Sequence, residues 1–468
     1  MRFYDTLARA VRDLVPLEPG RVTMYTCGPT VYRPVHLGNL RTFLAADLVR
    51  RALALEGLAV RQVMNITDVG HMADDSQEGP GADKMLLAAE DEGLAPAEIA
   101  AKYTAAFRAD AEALHLLPAD AYPRATEHVE AMVALTADLV RRGHAYEAGG
   151  MVYYDVASFP GYGALSHNTV DRLHAGHRTE GVDARKHHHY DFTLWRAAGP
   201  RRTVHWPSPW GPGFPGWHIE CSAMSLHLLG DCFDLHTGGA DLVFPHHECE
   251  IAQSEGAVGH RVVGGWSHAA HLLADGRKMA KSAGNVVGLG DVVARGADPL
   301  AFRYLCLQSR YREPANFTWE ALEGADRGLQ RYRRQVAEWR AAGGAESAGA
   351  GLSPAGRDLD THFRAAIADD LNTPRALTAL AGLAGAPVVP AERARLAAGW
   401  DAVLGLDLDR DAVPGGDLPP GAAERIAERE QARAGRDFAR ADRLRQELAS
   451  LGVEVTDTPE GTRWAVSR

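Results

Sequence analysis

The chain has 468 residues, 46% hydrophobic and 24% charged, an ordinary globular balance long enough for three or four domains. Its net charge of −11 argues against a surface coated in positive charge, although a local arginine stripe can still meet phosphates. No stretch approaches the roughly 18 apolar residues of a membrane span, and the opening MRFYDTLARAVRDL lacks the apolar core of a signal peptide. Five widely spaced cysteines (27, 221, 232, 249 and 306) make no disulfide framework, so a cytoplasmic chain with reduced thiols and no membrane partner is expected.

In chain order, RVTMYTCGPTVY predicts a strand over 22–26 with Cys27 at its C-terminal end. PVHLGNLRTF then reads as a turn opening a helix over about 40–56, and LAVRQVMNITDV as a second strand. This β-α-β unit implies an α/β fold with a parallel sheet and a ligand crevice at the strand C-termini. The strand–Gly–helix junction at His36 suits a phosphate, because the first helical N–H groups have no intrahelical partner. Helices are expected over about 90–145. Residues 150–210, rich in Gly, His, Pro and aromatics, read as an irregular insertion, with RKHHHYD as an exposed loop. Sheet character is expected to return over 217–300, beginning with GWHIECSAMSLHLLG, and helices over 299 to about 340. The break AAGGAESAGAGLSP (341–354) precedes a second helical segment. The linker DAVPGGDLPPGAA (411–423) precedes a final helical unit with a short β-like tail.

Two features carry chemistry. Of 50 Lys plus Arg only five are lysines (84, 102, 186, 278 and 281), yet two of them lie three apart in DGRKMAKSAGN. A compact ammonium on a flexible stem suits a charge that must follow a moving phosphate. Separately, Cys221, His246, His247, Cys249 and Glu250 are metal-ligand types. His246 and Glu250 are spaced to share a helix face, Cys249 reaches the same face, and the spacing leaves the choice between them open. Cys27 can close such a site from across the sheet.

The ordered set YTCGPTVYRPVHLGN, NITDV, PGWHIECSAMS, DLHTGGADLVFPHHECEIAQSE, KMAKSAGN and DDLNTP closely resembles the cysteinyl-tRNA synthetase family, class I aminoacyl-tRNA synthetases, over essentially the whole chain. The resemblance implies a class I Rossmann-like parallel-sheet catalytic domain with an insertion, then a helical bundle and a small C-terminal anticodon-binding unit. Its implied boundaries are 1–115 and 211–300 for the two Rossmann halves, 116–210 for the insertion, 301–340 for a stem-contact helical region, 355–410 for the bundle and 424–468 for the anticodon unit.

The resemblance also implies an ATP-dependent ligation of L-cysteine to tRNA(Cys) through a cysteinyl-adenylate, with ATP and Mg2+ as substrate. His36, Lys278 and Lys281 are its implied catalytic residues, and Gly38, Asn39, Met279 and Ser282 its ATP-binding residues. Gly28, Thr67, Trp217, His236 and Asp241 are implied in the amino-acid pocket. One zinc per chain on Cys27, Cys221, His246 and Glu250 is implied to select cysteine through its thiolate, since a serine hydroxyl is a poor ligand. A monomer is expected. Two positions depart from the class pattern: Asn39 stands where the first motif has a second histidine, and Ala280 replaces a serine in the second.

The last 45 residues hold nine arginines against nine acidic residues. Arg425, Arg429, Arg433, Arg436 and Arg440 recur at helical spacing, which reads either as a salt-bridged face or as an RNA-contacting stripe with Trp464 nearby. Two further readings exist. One is a related ligase that joins cysteine to a glucosaminyl-inositol and lacks the C-terminal anticodon unit. The other is a non-catalytic, zinc-stapled RNA-binding relative, against which His36, Lys278 and Lys281 count.

Overall fold

The computed structural model describes residues 1–70, 83–168, 183–199, 202, 204–279, 284–343, 351–410, 421–458 and 461–466. They divide into one unit of Met1–Leu289, Cys306–Phe317 and His362–Leu377, and a second of Gly290–Leu305, Thr318–Thr361 and Thr378–Arg468. Among the described residues no helix is long and apolar enough to cross a membrane.

The first unit opens with an antiparallel hairpin, β1 (Arg2–Asp5) and β2 (Ala10–Asp13). Its centre is the expected β-α-β unit: β3 (Arg21–Thr26), α1 (Leu37–Leu55) and β4 (Ala59–Met64), the two strands pairing in parallel. Helices α2 (Lys84–Glu92), α3 (Pro96–Ala113) and α4 (Val129–Arg141) follow; α3 and α4 fall in the range expected to be helical, while α2 begins before it.

Two segments differ from their sequence reading. Among its described residues the insertion is built on a sheet: β5 (Ala145–Ala148), β6 (Met151–Tyr154), β7 (Phe192–Ala197) and β8 (Gly213–Pro215) pair antiparallel in that order. Their short aromatic runs, MVYY and FTLWRA, are almost wholly buried and are separated by long Gly- and His-rich stretches that hide the pairing in sequence. The run after β8 is not a strand but α5 (Trp217–Leu229). It is buried on every side over His218–Ser225, so its apolar residues show no helical stripe, and periodicity cannot separate a buried helix from a buried strand.

The parallel sheet then resumes with β9 (Phe233–Gly239), α6 (Glu248–Val258) and β10 (Val263–Ala269), giving the strand order β10-β9-β3-β4, all parallel. With every connection passing over a face, the sheet's C-terminal edge is left as the crevice. A smaller sheet, β11 (Leu272–Ala274), β12 (Arg277–Lys278) and β13 (Ala315–Phe317), carries Lys278 on its strand β12.

In the second unit α7 (Trp319–Gly343) buries Leu322, Ala325, Leu329, Tyr332, Val336 and Trp339 along one stripe and packs on α8 (Pro390–Leu404). The C-terminal segment is α9 (Ala422–Ala434), α10 (Phe438–Ser450) and the hairpin β14 (Val453–Thr458)–β15 (Gly461–Val466). It has its own small core of Ala422, Ile426, Leu448, Val453 and Val455. The expected arginine stripe is not continuous here. α9 ends at Ala434, Arg436 takes φ 60° in the turn, and Arg440 lies on α10 paired with Glu428 at 3.1 Å. Arg425 meets Glu447 at 3.1 Å, and Arg429 is buried. The side chain of Trp464 lies outside the described residues.

Candidate active site

The crevice gathers chemistry from three separate segments of the chain. Cys27 immediately follows β3, and its N–H donates to Thr237 O on β9 at 3.1 Å. The next residue must be glycine: a Cβ on Gly28 would lie 1.8 Å from Asn65 O, and the Gly28 N–H donates to Asn65 Oδ1 at 2.8 Å. Cys221 sits one turn into α5. His246 lies in the irregular turn Val243–His247, and Glu250 in the first turn of α6. Cys27 Sγ lies 3.7 Å from Cys221 Sγ and 3.7 Å from Glu250 Oε1, which is 3.0 Å from His246 Nε2. One donor atom from each of the four falls within 4.8 Å of the others, and all four residues are buried.

A second overlapping set exists: Cys27, His236, His247 and Glu250. His247 Nε2 is 3.2 Å from Cys27 Sγ, and its Nδ1 meets His268 Nε2 at 2.7 Å, which continues to Thr6 Oγ1 at 2.7 Å. His236 Nε2 meets Glu250 Oε2 at 2.9 Å. The two sets differ in access. Cys27, Cys221 and His246 line a cavity of about 240 Å³, whereas His236 and His247 do not. His236 was expected in the amino-acid pocket. It is instead 1% exposed behind the donors, stacked on Trp266, where it orients Glu250. His218 Nδ1 likewise meets His246 Nδ1 at 2.9 Å. Cys249 points away from both sets, its Sγ 3.5 Å from Tyr162 Oη, and is fully buried.

The four groups are strongly linked to one another through ion pairing and hydrogen bonds. Burial opposes charge on Glu250, yet His236 and His246 hold its carboxyl well below the usual range. Burial likewise opposes charge on His246, but Glu250 and Cys221 push it up to about 10. Burial raises the Cys27 thiol, while the hydrogen bond from Cys27 lowers Cys221, making Cys221 the thiol that ionises first. Two thiols, an imidazole and a carboxylate converging in this way are a fitting donor set for a divalent zinc-like ion with one face open to the cavity.

The remaining expected pocket residues line the same cavity. Trp217 stacks on His246 with centroids 4.4 Å apart. Thr67 receives Asn65 Nδ2 at 3.0 Å and donates to Glu220 Oε2 at 3.1 Å. Gly28 and Asp241 complete the group. Asn39, Thr42 and Asp241 also line a neighbouring hollow of about 90 Å³ formed with His36, Gly38, Lys278 and Met279. The two lysine-motif residues Lys281 and Ser282 lie outside the described residues.

At the start of α1, His36 is the N-cap. Its Nδ1 accepts from Asn39 N–H at 3.3 Å, and Asn39 Oδ1 accepts from His36 N–H at 3.3 Å, a reciprocal capping box. Asn39 therefore has a local role that a side-chain carbonyl serves well. A Cβ on Gly38 would sit 2.9 Å from the His36 ring and 3.9 Å from Met279 Sδ, so the two motifs meet at this glycine.

Motif reading passed over Lys84, which lines the cavity from the N-terminus of α2. The rarity of lysine was the available signal. Its neighbour Asp83 caps α2 and pairs with the half-buried Arg202 from the insertion, fixing that end of the helix.

The family described as the tRNA synthetases class I (C) catalytic domain matches residues 13–327, and the cysteinyl-tRNA ligase anticodon binding domain matches 415–464. Cysteine–tRNA ligases of Thermus thermophilus are 45% and 46% identical, covering 99% of this chain and 99% of their own length. One from Burkholderia lata is 42% identical over 99% of this chain and 96% of its own. A structure of Mycobacterium tuberculosis methionyl-tRNA synthetase with methionyl-adenylate shares the fold, with a TM-score of 0.55 at 17% identity over 90% of this chain and 96% of that one. End-to-end identity above 40%, together with a catalytic-domain match over two thirds of the residues, means that this chain belongs to the cysteine–tRNA ligase family of class I synthetases.

Proposed function

We propose that the chain activates L-cysteine with ATP and transfers it to tRNA(Cys). In this reading Cys27, Cys221, His246 and Glu250 hold one zinc, and His36, Lys278 and Lys281 act on the phosphates of magnesium-bound ATP. The observation that carries it is the continuity of the cleft. The cavity beneath the thiols and the hollow beneath Lys278 share Asn39, Thr42 and Asp241, so an amino acid and a nucleotide held there can meet. Bound at the four donors, zinc would supply a soft electrophilic contact that favours a thiolate sulfur over a neutral hydroxyl.

The chain's own residues do the rest. Trp217 and Thr67 wall the amino-acid end, and the Asp241 carboxylate suits the substrate ammonium. Burial, with Arg33 adding to it and Asp241 opposing, lowers the His36 imidazole from its ordinary range. The ring is therefore neutral near pH 7. Nδ1 is taken by Asn39 N–H, which leaves the proton on Nε2 as a donor for a phosphate oxygen. No side-chain nucleophile is needed, because the substrate carboxylate attacks the α-phosphate and pyrophosphate leaves. The protein positions reactants and stabilises phosphate charge.

Cysteine-dependent pyrophosphate exchange should accordingly stay level from about pH 8 to about pH 6.5 and fall below that, in the range where histidine protonates. Protonation of Nδ1 breaks the cap. The folded state favours the neutral ring, so both cap and activity are lost as pH falls. A pH–rate profile showing the loss already centred above pH 7 would contradict this role.

The reaction itself is tested by incubating purified chain with ATP, cysteine and tRNA(Cys) and resolving acylated from free tRNA. Cysteine-specific charging is expected. Cysteine-dependent exchange without charging, but with transfer to a glucosaminyl-inositol, would point to the related ligase. Truncation after Arg410 sharpens the distinction, because the terminal segment has a core of its own. Exchange should survive within a few-fold, while charging at limiting tRNA falls much further. The salt dependence of tRNA binding should flatten by about one log unit of slope for each phosphate that the terminal segment neutralises.

A further inference from the structure

We propose that Arg41 is a positioning residue for the ATP half of the reaction, fixing the segment that carries Lys278 and Met279 relative to His36. This deepens the function proposed above and rests on it.

Arg41 lies on α1, five residues beyond His36, and is 3% exposed. Its guanidinium donates to five uncharged oxygens. Nη1 reaches Ala270 O at 2.6 Å and His271 O at 2.8 Å. Nη2 reaches Glu313 O at 2.6 Å, Arg310 O at 3.3 Å and Ser309 Oγ at 3.4 Å. Burying a cation on neutral acceptors is costly. An apolar side chain would serve packing alone at less cost, so the fork must deliver something that packing does not.

What it delivers is a fixed distance between two segments. Ala270 and His271 join β10 to β11, and the β11–β12 hairpin leads directly to Lys278, which pairs with Leu273. The exit of the same segment is also tied to α1, through Leu37 N–H donating to Val287 O at 2.9 Å. Across its base, Asn285 Nδ2 donates to Lys278 O at 3.1 Å. Described residues on both sides of Lys281 are thus anchored on the helix that His36 caps.

The other arm of the fork is itself held. Tyr311 Oη donates to Asp370 at 2.8 Å, Arg312 pairs with the same carboxylate, and Thr373 Oγ1 donates to Ser309 O at 3.4 Å. This gives the DDLNTP segment a structural role. It braces residues 309–313, which brace Arg41, which sets the lysine segment. A planar guanidinium can satisfy two diverging sets of carbonyls at once, and a lysine ammonium on a flexible stem cannot hold both.

The test is cysteine-dependent pyrophosphate exchange by wild type, R41K and R41A, with KM determined separately for ATP and cysteine, alongside metal content and melting temperature. If wild type shows no such exchange, the function proposed above fails, independently of Arg41. With wild type active, R41K should lose up to about 10²-fold in kcat/KM for ATP, as displaced reacting groups do. Its cysteine KM should stay within about two-fold and its metal content should be unchanged. Loss spread equally over ATP and cysteine and tracking a lowered melting temperature would overturn the inference in favour of a purely structural residue. So would an R41K protein that behaves as wild type. Should R41A fail to fold, Asn285→Ala removes the bond to Lys278 O at the base of this segment while leaving Arg41 in place. It should raise the ATP KM without lowering the melting temperature, and an unchanged ATP KM there would also overturn the inference.

Discussion

Cys221→Ala is expected to remove the metal from the protein and to lower cysteine-dependent exchange by on the order of 10⁴, the scale at which a site built around one polar interaction rejects a ligand that cannot make it. Cys221 is the thiol whose ionisation the site favours, and it faces both Cys27 and the cavity. Its loss removes one of only two thiolate donors, the softest ligands of the set, and so weakens the hold on zinc most. Selectivity should collapse with affinity, so cysteine and serine become similarly poor substrates. Cys249→Ser supplies the control. Cys249 lies two residues after His247 and is just as buried, but its Sγ faces Tyr162 Oη, so metal content and discrimination should both survive. Metal analysis of the two variants decides the matter. Loss of metal in Cys249→Ser with retention in Glu250→Gln would show the donor assignment to be wrong.

His36→Ala should lower exchange by about 10²–10³, the effect of deleting one preorganised donor at a developing charge. Two losses combine in this variant. The Nε2 proton facing the hollow disappears, and so does the cap on Asn39 N–H, at about 1 kcal/mol of stability. His36→Asn separates them, because an amide caps well but does not place a donor where the ring does. It should recover the melting temperature and little of the rate. Lys281→Ala is expected to cost a similar 10²–10³ in exchange while leaving the cysteine KM nearly unchanged. Recovery of both rate and stability in His36→Asn would reduce His36 to a cap.

Local signals were the readable ones. The strand, glycine turn and helix around His36 are encoded within consecutive residues, and the structure reproduces the first strand to within one residue and starts the helix three residues earlier than its apolar pattern suggests. Cys27 ends a strand that the sequence shows, whereas Cys221 lies on a helix in a segment that reads as sheet; one donor atom from each of Cys27, Cys221, His246 and Glu250 nonetheless lies within 4.8 Å of the others. Several features were not readable. The spacing of His246 to Cys249 and Glu250 could not decide between them, because His246 precedes the regular helix in a turn whose Phe244 is extended. The burial of His236 depends on Trp266, thirty residues away. The sheet β5–β8 is assembled from pieces too short and too widely separated to carry a period. Arg41 looked like one more arginine among 45, since carbonyl partners more than 200 residues distant leave no trace in local sequence.

The most direct measurement is pyrophosphate exchange by the intact chain against all twenty amino acids, before and after treatment with a zinc chelator. Exchange is expected with cysteine alone, serine being lower by on the order of 10⁴, with loss of the cysteine signal on chelation and its return on adding zinc. Exchange that ignores the chelator, or that accepts serine as readily as cysteine, would contradict selection of the substrate by a metal held at Cys27, Cys221, His246 and Glu250.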